Sequence, residues 1–399
     1  MRILFVAPYP PSRIRIRAYG FVSHLAKQHE VTVLALCSSK REALDAQALQ
    51  DAGFAVIAVQ DRHIWKILRV LRALFTKLPL QVAFDASPRL RAVISEQLAL
   101  GSFDLMHVEF IRVLGALPEN FPVPLVWDAV DCISLLYEQG GRAGTTVLLR
   151  LLGTFEARRV RMYEREQLSG IRQVLVASPR DQNAFLEIAA PPSTMQVPAV
   201  ISVLPHGIDQ NYFRPALEER WPETLIFSGK MSFHANVAGV LHLAKQIMPL
   251  IWQKKPGVRL IIAGSNPPAS VRRLAQHRLI EVTGYVPDIR PYIERAQVAV
   301  CPLPYAVGIQ NKILEAMALE TPVVASPQAA AGLLGVAGRD LLIAAEPQAF
   351  ADAVLRLLDD RQLHREIAAN GSKYIATYHN WDRLIQQLIS IYTDTIASV

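Results

Sequence analysis

Short apolar runs recur along the whole chain and are separated by helix-like segments. This alternation restricts the fold more than any other property of the sequence. The runs ILFVAP (3–8), VTVLAL (31–36) and FAVIAV (54–59) are apolar without interruption, so each strand must be covered on both faces. Amphipathic segments such as 18–29 lie between them. Strands buried on both sides and joined by helices form parallel, doubly wound sheets. LMHV (105–108), PLVWDA (124–129), QVLVAS (173–178) and ISVLPHGID (201–209) extend the first set, with a long charged helical region expected over 145–169. A second set starts at LIFSGK (225–230), continues through a helix at 236–252 and RLIIAG (259–264), and runs on through VTGYV, QVAVCPL, PVVAS and LLIAA. The proline- and acid-containing stretch 214–223 between the sets predicts a linker.

With 51% hydrophobic and 19% charged residues in 399, the chain can bury large cores and is not disordered. Cys37, Cys132 and Cys301 share no close spacing, so neither a zinc site nor a disulfide framework is expected, and a reducing compartment fits. The chain opens directly on an apolar strand without a signal-peptide layout. No apolar run reaches the roughly 18 residues of a membrane span, so a cytoplasmic location is expected. The net charge of +7 is modest, and its distribution says more. Residues 62–77, RHIWKILRVLRALFTK, hold five Lys or Arg and no acid beside Trp65, Leu68, Leu71, Leu74 and Phe75. Such a helix either lies on an anionic membrane surface or covers the core with its basic face in water. No nucleic-acid motif accompanies it.

The stretch CPLPYAVGIQNKILEAMALETPVVAS (301–326) concentrates candidate chemistry. It predicts a buried strand end, a loop, and a helix over 312–319 with Asn311 as N-cap. The start of a helix favours phosphate through its N–H groups and dipole, Gly308 permits close backbone approach, and Glu315 is placed to accept both hydroxyls of a ribose. The alternative for Glu315 is an ordinary exposed helix carboxylate.

These residues resemble the signature of the retaining glycosyltransferases of family 4, which have the GT-B fold. Within that family the likeness is to bacterial sugar transferases of exopolysaccharide clusters. Glu315-Ala316-Met317-Ala318 and Pro322-Val323-Val324-Ala325 match, while the family's first signature acid falls on Val307. The resemblance implies two Rossmann-like α/β domains facing across a cleft, with the last helix returning to the first. The expected domains are therefore 1–213 plus 381–399, on the acceptor side, and 214–380, which binds the nucleotide sugar. Donor contacts are implied for Val307, Gly308, Ile309, Gln310, Asn311, Ile313, Leu314 and Glu315, and for Gly229 and Lys230 at the end of LIFSGK. The family's second basic position falls on Ala235, with Asn236 beside it. Gly264 reads as a strand-end turn near the donor, and the backbone of Tyr285 and Val286 as a contact to the base. Lys230 could also be an ordinary surface lysine.

In the first domain, Glu109 stands where the family has a histidine near the acceptor. It could hold a hydroxyl, take a proton, or serve as a structural acceptor. His107 reads as a core histidine. Asp128 and Asp131 stand where the family has strand-end carboxylates facing the cleft, and their spacing is not that of a metal-holding Asp-x-Asp motif, so no metal is expected. Arg13, Arg15 and Arg17 either contact a phosphorylated, lipid-linked acceptor or form a solvated basic loop.

The expected function is transfer of a sugar from UDP or GDP to a carbohydrate or lipid-linked acceptor hydroxyl, with retention. No cofactor beyond the donor is involved, and the catalytic candidates are Glu109, Lys230 and Asp128. The expected location is cytoplasmic, peripheral on the inner face of the plasma membrane. A GT-B nucleotide-sugar epimerase and a noncatalytic nucleotide-sugar-binding subunit are the alternatives.

Overall fold

The computed structural model describes residues 1–12, 14–143, 147–189, 199–216 and 219–398. The chain divides into two compact units, 1–207 with 381–399, and 208–380. The boundary therefore precedes the stretch expected as a linker, and that stretch is built into the second unit. The Arg220 guanidinium donates to the carbonyls of Glu294, Ala296 and Glu320 at 2.6–2.8 Å, and the Trp221 N–H donates to the Arg295 carbonyl at 2.6 Å. One arginine facing several orphan carbonyls makes a loop part of a core.

Among the described residues the first unit holds seven parallel strands: β1 (Arg2–Ala7), β2 (Glu30–Cys37), β3 (Ala55–Gln60), β4 (Leu105–Glu109), β5 (Leu125–Val130), β6 (Gln173–Val176) and β7 (Val200–Val203). Their order is β3-β2-β1-β4-β5-β6-β7. Strand β7 stops short of the predicted run because Pro205 has no N–H to extend the ladder. Alternate residues of one strand serve opposite cores, Leu4 and Val6 on one face and Ile3, Phe5 and Ala7 on the other. The continuous apolar runs require this arrangement. The C-terminal helix Trp381–Ala397 covers the second face with Trp381, Leu384, Ile385, Leu388 and Tyr392. Its Trp381 ring fills the space that a side chain at Gly20 or Gly207 would occupy.

The second unit holds β8 (Thr224–Ser228), β9 (Arg259–Ala263), β10 (Ile280–Gly284), β11 (Val298–Cys301), β12 (Val323–Ala325) and β13 (Leu342–Ile343). All are parallel, in the order β10-β9-β8-β11-β12-β13. The helix expected at 236–252 runs as His234–His242, a π-helical turn Leu243–Ile247, and Met248–Lys254. Pro249 lacks an N–H and crowds the preceding turn, and the wider turn before it relieves that conflict. The long charged helical region expected over 145–169 is the helix Val147–Gly170, and a separate helix, Ile133–Ala143, precedes it.

In each sheet the strand order reverses once, between β1 and β4 and between β8 and β11. The connecting loops diverge at these points and leave a crevice beyond the carboxyl ends of the strands.

Candidate functional site

At the reversal in the second unit, β8 delivers Gly229 and Lys230, and β11 leads through 302–310 into the helix Asn311–Ala318. The carboxyl edge here is stripped of side chains. Gly229, Gly264 and Gly284 follow or end three neighbouring strands with φ of +147°, +150° and +68°. A Cβ on Gly264 would lie 1.7 Å from the Gly229 carbonyl oxygen, so only glycine permits this approach. The Gly264 N–H donates to the Gly284 carbonyl at 3.1 Å, which ties the end of β10, and with it exposed Tyr285 and half-buried Val286, to the same edge.

Charge enters this bared edge from two lysines. Lys230 is exposed, and its ammonium makes no hydrogen bond or ion pair among the described residues. The Lys312 ammonium donates to Asn236 Oδ1 at 2.9 Å and stands 5.5 Å from the Phe227 ring centroid. Asn236 is buried and donates from Nδ2 to the Lys230 carbonyl at 2.9 Å, so it orients one lysine's head and the other's backbone. A Cβ on Gly229 would come within 3.2 Å of Lys312 Cε. Ala235, at the position where a second cation was looked for, is buried in the core, and the second ammonium comes from the signature helix instead. Lys312 was not among the residues expected from sequence. The available signal was its place as the sole basic residue between Cys301 and Ser326.

The loop 302–310 is held from within. Gly308 adopts φ +60°, and the Gln310 side chain donates back to the Val307 carbonyl at 3.1 Å. Gly332 admits the Gly308 carbonyl, which would lie 2.0 Å from a Cβ there. The helix begins one residue earlier than expected: Gln310 rather than Asn311 occupies the cap position, without a side-chain cap bond, and its carbonyl accepts from Ile313 N–H at 2.9 Å. Ile313 and Leu314 turn into the core and so position the helix rather than touch solvent. Glu315 is half-buried, and its carboxyl has no hydrogen-bond or ion-pair partner among the described residues. Burial pushes its carboxyl up to about 7 against the pull of Lys312.

In the first unit the corresponding edge is crowded with charges that pair among themselves. Arg17 donates from Nε and Nη2 to the two oxygens of Asp128, both at 2.7 Å, and from Nη1 to the Leu204 carbonyl at 2.7 Å. Both residues are buried. Burial would raise the Asp128 carboxyl, but the Arg17 charge and His107 outweigh it and hold it at about 2. Arg17 is therefore a buried structural cation rather than part of an open acceptor loop, and Asp128 is enclosed rather than facing a cleft. Arg15 is half-buried, bonded to the Pro10 carbonyl at 2.8 Å and Glu42 at 3.1 Å, with its guanidinium 3.8 Å from the Tyr9 ring centroid. Arg13 lies outside the described residues. His107 is a core residue, stacked on Phe5 at 4.4 Å, with Nδ1 2.7 Å from the Tyr392 hydroxyl and Nε2 3.6 Å from Asp128.

Glu109, at the end of β4, is the exception. It is buried, its Oε2 has no hydrogen-bond partner among the described residues, and burial followed by the Asp128 charge pushes its carboxyl up to about 8. Two strained residues mark the strand ends, Phe110 just after β4 at φ +64° and Val130, the last residue of β5, at φ +66°. Val130 is the centre of a turn closed by the Asp131 N–H on the Ala129 carbonyl at 2.8 Å, an uncommon γ-turn for a β-branched residue. The turn places Asp131 beside buried Asp181, and burial together with that second carboxylate raises the Asp131 carboxyl to about 8.

Comparison with known proteins agrees with this architecture. Residues 222–360 match the family Glycosyl transferases group 1. The Glycosyltransferase 1 domain-containing protein 1 of Xenopus tropicalis is 27% identical over 169 residues, 39% of this chain and 48% of that protein. The MMP alpha-(1->4)-mannosyltransferase of Mycolicibacterium hassiacum is 26% identical over 212 residues, 51% of this chain and 50% of that protein. The chain thus spans about half the length of the curated relatives it matches. Among solved structures, sucrose-phosphate synthase of Thermosynechococcus elongatus superposes with a TM-score of 0.72 at 15% identity, covering 100% of both chains. Anabaena HepE in complex with UDP does so with a TM-score of 0.64 at 15% identity, also over 100% of both. The fold is GT-B, built from two Rossmann-like parallel-sheet domains.

Proposed function

We propose that the chain is a glycosyltransferase that moves a sugar from a nucleoside diphosphate to an acceptor hydroxyl and retains the anomeric configuration. The observation that carries this is the glycine-bared edge at the β8/β11 reversal, where the Lys312 ammonium lies near the Glu315 carboxyl and exposed Lys230 follows the strand end. Lys230 and Lys312 would neutralise the diphosphate as it departs, and Glu315 would accept the ribose hydroxyls. The group 1 match over 222–360 covers this site, and the solved relative with UDP supports a nucleotide donor. Uracil and guanine are the two candidate bases.

In the transfer the bond from the anomeric carbon to the diphosphate oxygen breaks, and a bond to the acceptor oxygen forms on the same face. A phosphate oxygen takes the acceptor's proton, so no enzyme nucleophile or metal is invoked, and valine at position 307 is compatible with the reaction. In the first unit Glu109, protonated at neutral pH and lacking a partner for one oxygen, is the candidate for holding an acceptor hydroxyl. The acceptor would be a carbohydrate or lipid-linked sugar of polysaccharide or glycolipid synthesis, met in the cytoplasm at a membrane surface. A panel of UDP- and GDP-sugars offered with lipid-linked acceptors tests this, with the product linkage read by NMR. Transfer with retained configuration is expected. An inverted linkage would refute the mechanism, and failure to bind any nucleotide sugar would refute the function.

A further inference from the structure

The helix His63–Ala73 is turned inside out relative to an ordinary surface helix. Its inward side carries Lys66, Arg69, Val70 and Ala73, spaced by three and four residues. Lys66 is buried and donates to Asp85 at 2.8 Å. Arg69 pairs with Asp61 and donates to the carbonyls of Ala83 at 3.2 Å and Phe84 at 2.9 Å. The outward side carries Ile64, Trp65, Ile67, Leu68 and Leu71, and the following turn adds Leu74 and Phe75, the last 92% exposed. Other exposed large apolar side chains, such as Ile14, Leu44 and Leu100, stand apart in the sequence, whereas here seven fall within twelve residues. The end of this turn is fastened by Arg159, which donates to the carbonyls of Ala73 at 2.5 Å, Thr76 at 2.9 Å and Leu78. The Arg159 guanidinium also lies over exposed Phe155, which extends the apolar surface onto the neighbouring helix.

We infer that this outward face inserts into the surface of an anionic lipid bilayer, with Trp65, Leu68, Leu71 and Phe75 entering the headgroup–acyl boundary and Arg62, Arg72 and Lys77 contacting lipid phosphates. The proposal rests on the peripheral-membrane part of the function above and adds which side chains enter and which do not. Charge decides the occupant. Arg62, Arg72 and Lys77 are exposed, and the sequence 62–84 contains no acid. A second copy docked through the same face by a two-fold axis would set these cations against themselves, whereas an anionic headgroup layer neutralises them. The inward ion pairs hold the helix so that its apolar side stays outward before any lipid is met. Arg69, committed to Asp61 and two carbonyls, contributes to this anchoring rather than to lipid contact.

Sedimentation of the whole chain with phosphatidylcholine vesicles, with and without phosphatidylglycerol, tests the inference, alongside quenching of tryptophan fluorescence by brominated lipid. Trp65 is 58% exposed, Trp127 and Trp381 are buried, and half-buried Trp221 and Trp252 belong to the second unit, so the part of the quenching that disappears in Trp65→Phe, which keeps an aromatic ring, reports Trp65. Binding to anionic vesicles is expected, with about a tenfold or greater loss in Trp65→Ser/Phe75→Ser. A smaller loss, with weakened salt dependence, is expected in Arg72→Glu/Lys77→Glu. Absence of wild-type binding or quenching would overturn the proposal, as would unchanged binding of the apolar variant. A concentration-dependent dimer abolished by Trp65→Ser/Phe75→Ser, without vesicle binding, would overturn it in favour of a second copy. Nucleotide-sugar binding, measured on the same proteins without vesicles, separates failure of the membrane face from failure of the transferase proposal.

Discussion

At the carboxyl edge of the second sheet, the Lys230 ammonium and the Glu315 carboxyl have no hydrogen-bond or ion-pair partner among the described residues, and the Lys312 ammonium hydrogen-bonds a neutral amide over the Phe227 ring. At the same edge of the first sheet, Arg17 and Asp128 are locked in a two-point buried ion pair. Both edges lie at a reversal of strand order, so topology alone makes them equal candidates. The difference lies in whether the charges are already satisfied. A cation with a carboxylate at 2.7 Å has little left for a phosphate, whereas an ammonium beside three glycines is accessible to one. In the first unit Glu109 and Asp131 depart from this pattern among the described residues; Asp131 stands beside a second carboxylate, Asp181, so the acceptor role is assigned to Glu109.

The largest effect that would break this contrast is on stability. Arg17→Met leaves the Asp128 carboxylate buried without its partner and is expected to destabilise the fold by about 3–5 kcal/mol. Thermal unfolding checks it, and nucleotide binding measured well below the melting temperature should be unchanged. Loss of nucleotide binding at intact stability would instead place Arg17 in the donor site.

A smaller effect concerns Glu109, whose carboxyl is raised from the ordinary 4.5 to about 8. Between these values the folded state holds a proton that the unfolded chain has released, so this residue's contribution to stability is lost as pH rises through that window. Glu109→Gln, which imitates the protonated form, should therefore stabilise the protein by about 1–2 kcal/mol near pH 8 and by nothing near pH 4. Calorimetry at the two pH values checks the sign. An equal change at both would show that the carboxyl titrates normally.

The smallest effect is on affinity. In the proposed role, Glu315 accepts both ribose hydroxyls fully only when ionised, and its carboxyl is raised to about 7. Affinity for a nucleotide sugar, whose diester phosphates do not titrate in this range, should fall by up to about tenfold per pH unit below 7. Glu315→Gln should bind more weakly and without that slope, as isothermal titration across the range would show.

Much of the fold was legible because buried parallel strands must be apolar throughout, and every run from ILFVAP to LLIAA contains one of the thirteen strands. What the sequence hid was pairing. The partners of Arg17 and Lys66 lie 111 and 19 positions away, so nothing local distinguishes a buried structural cation from an available one. The basic helix at 62–77 shows the same limit. Its amphipathicity is plain in the sequence, but which face turns inward depends on Asp61 and Asp85, and those acids draw the charged side in. Lys312 does not stand out in the sequence, where its apolar neighbours Ile313 and Leu314 carry the helix pattern. Its closeness to Asn236 arises only when β8 and β11 lie side by side. The stretch 214–223 has the composition of a linker, yet Arg220 draws it into the second unit.

The central claim is that the second unit binds a nucleoside diphosphate through the charges left unsatisfied at its strand ends. Titration of UDP- and GDP-sugars into the wild type, Lys230→Ala and Lys312→Met tests it most directly. Each substitution is expected to weaken binding by about 10–100-fold, the worth of a charge-assisted hydrogen bond, without lowering the melting temperature. Wild-type affinity in both lysine variants would contradict the account.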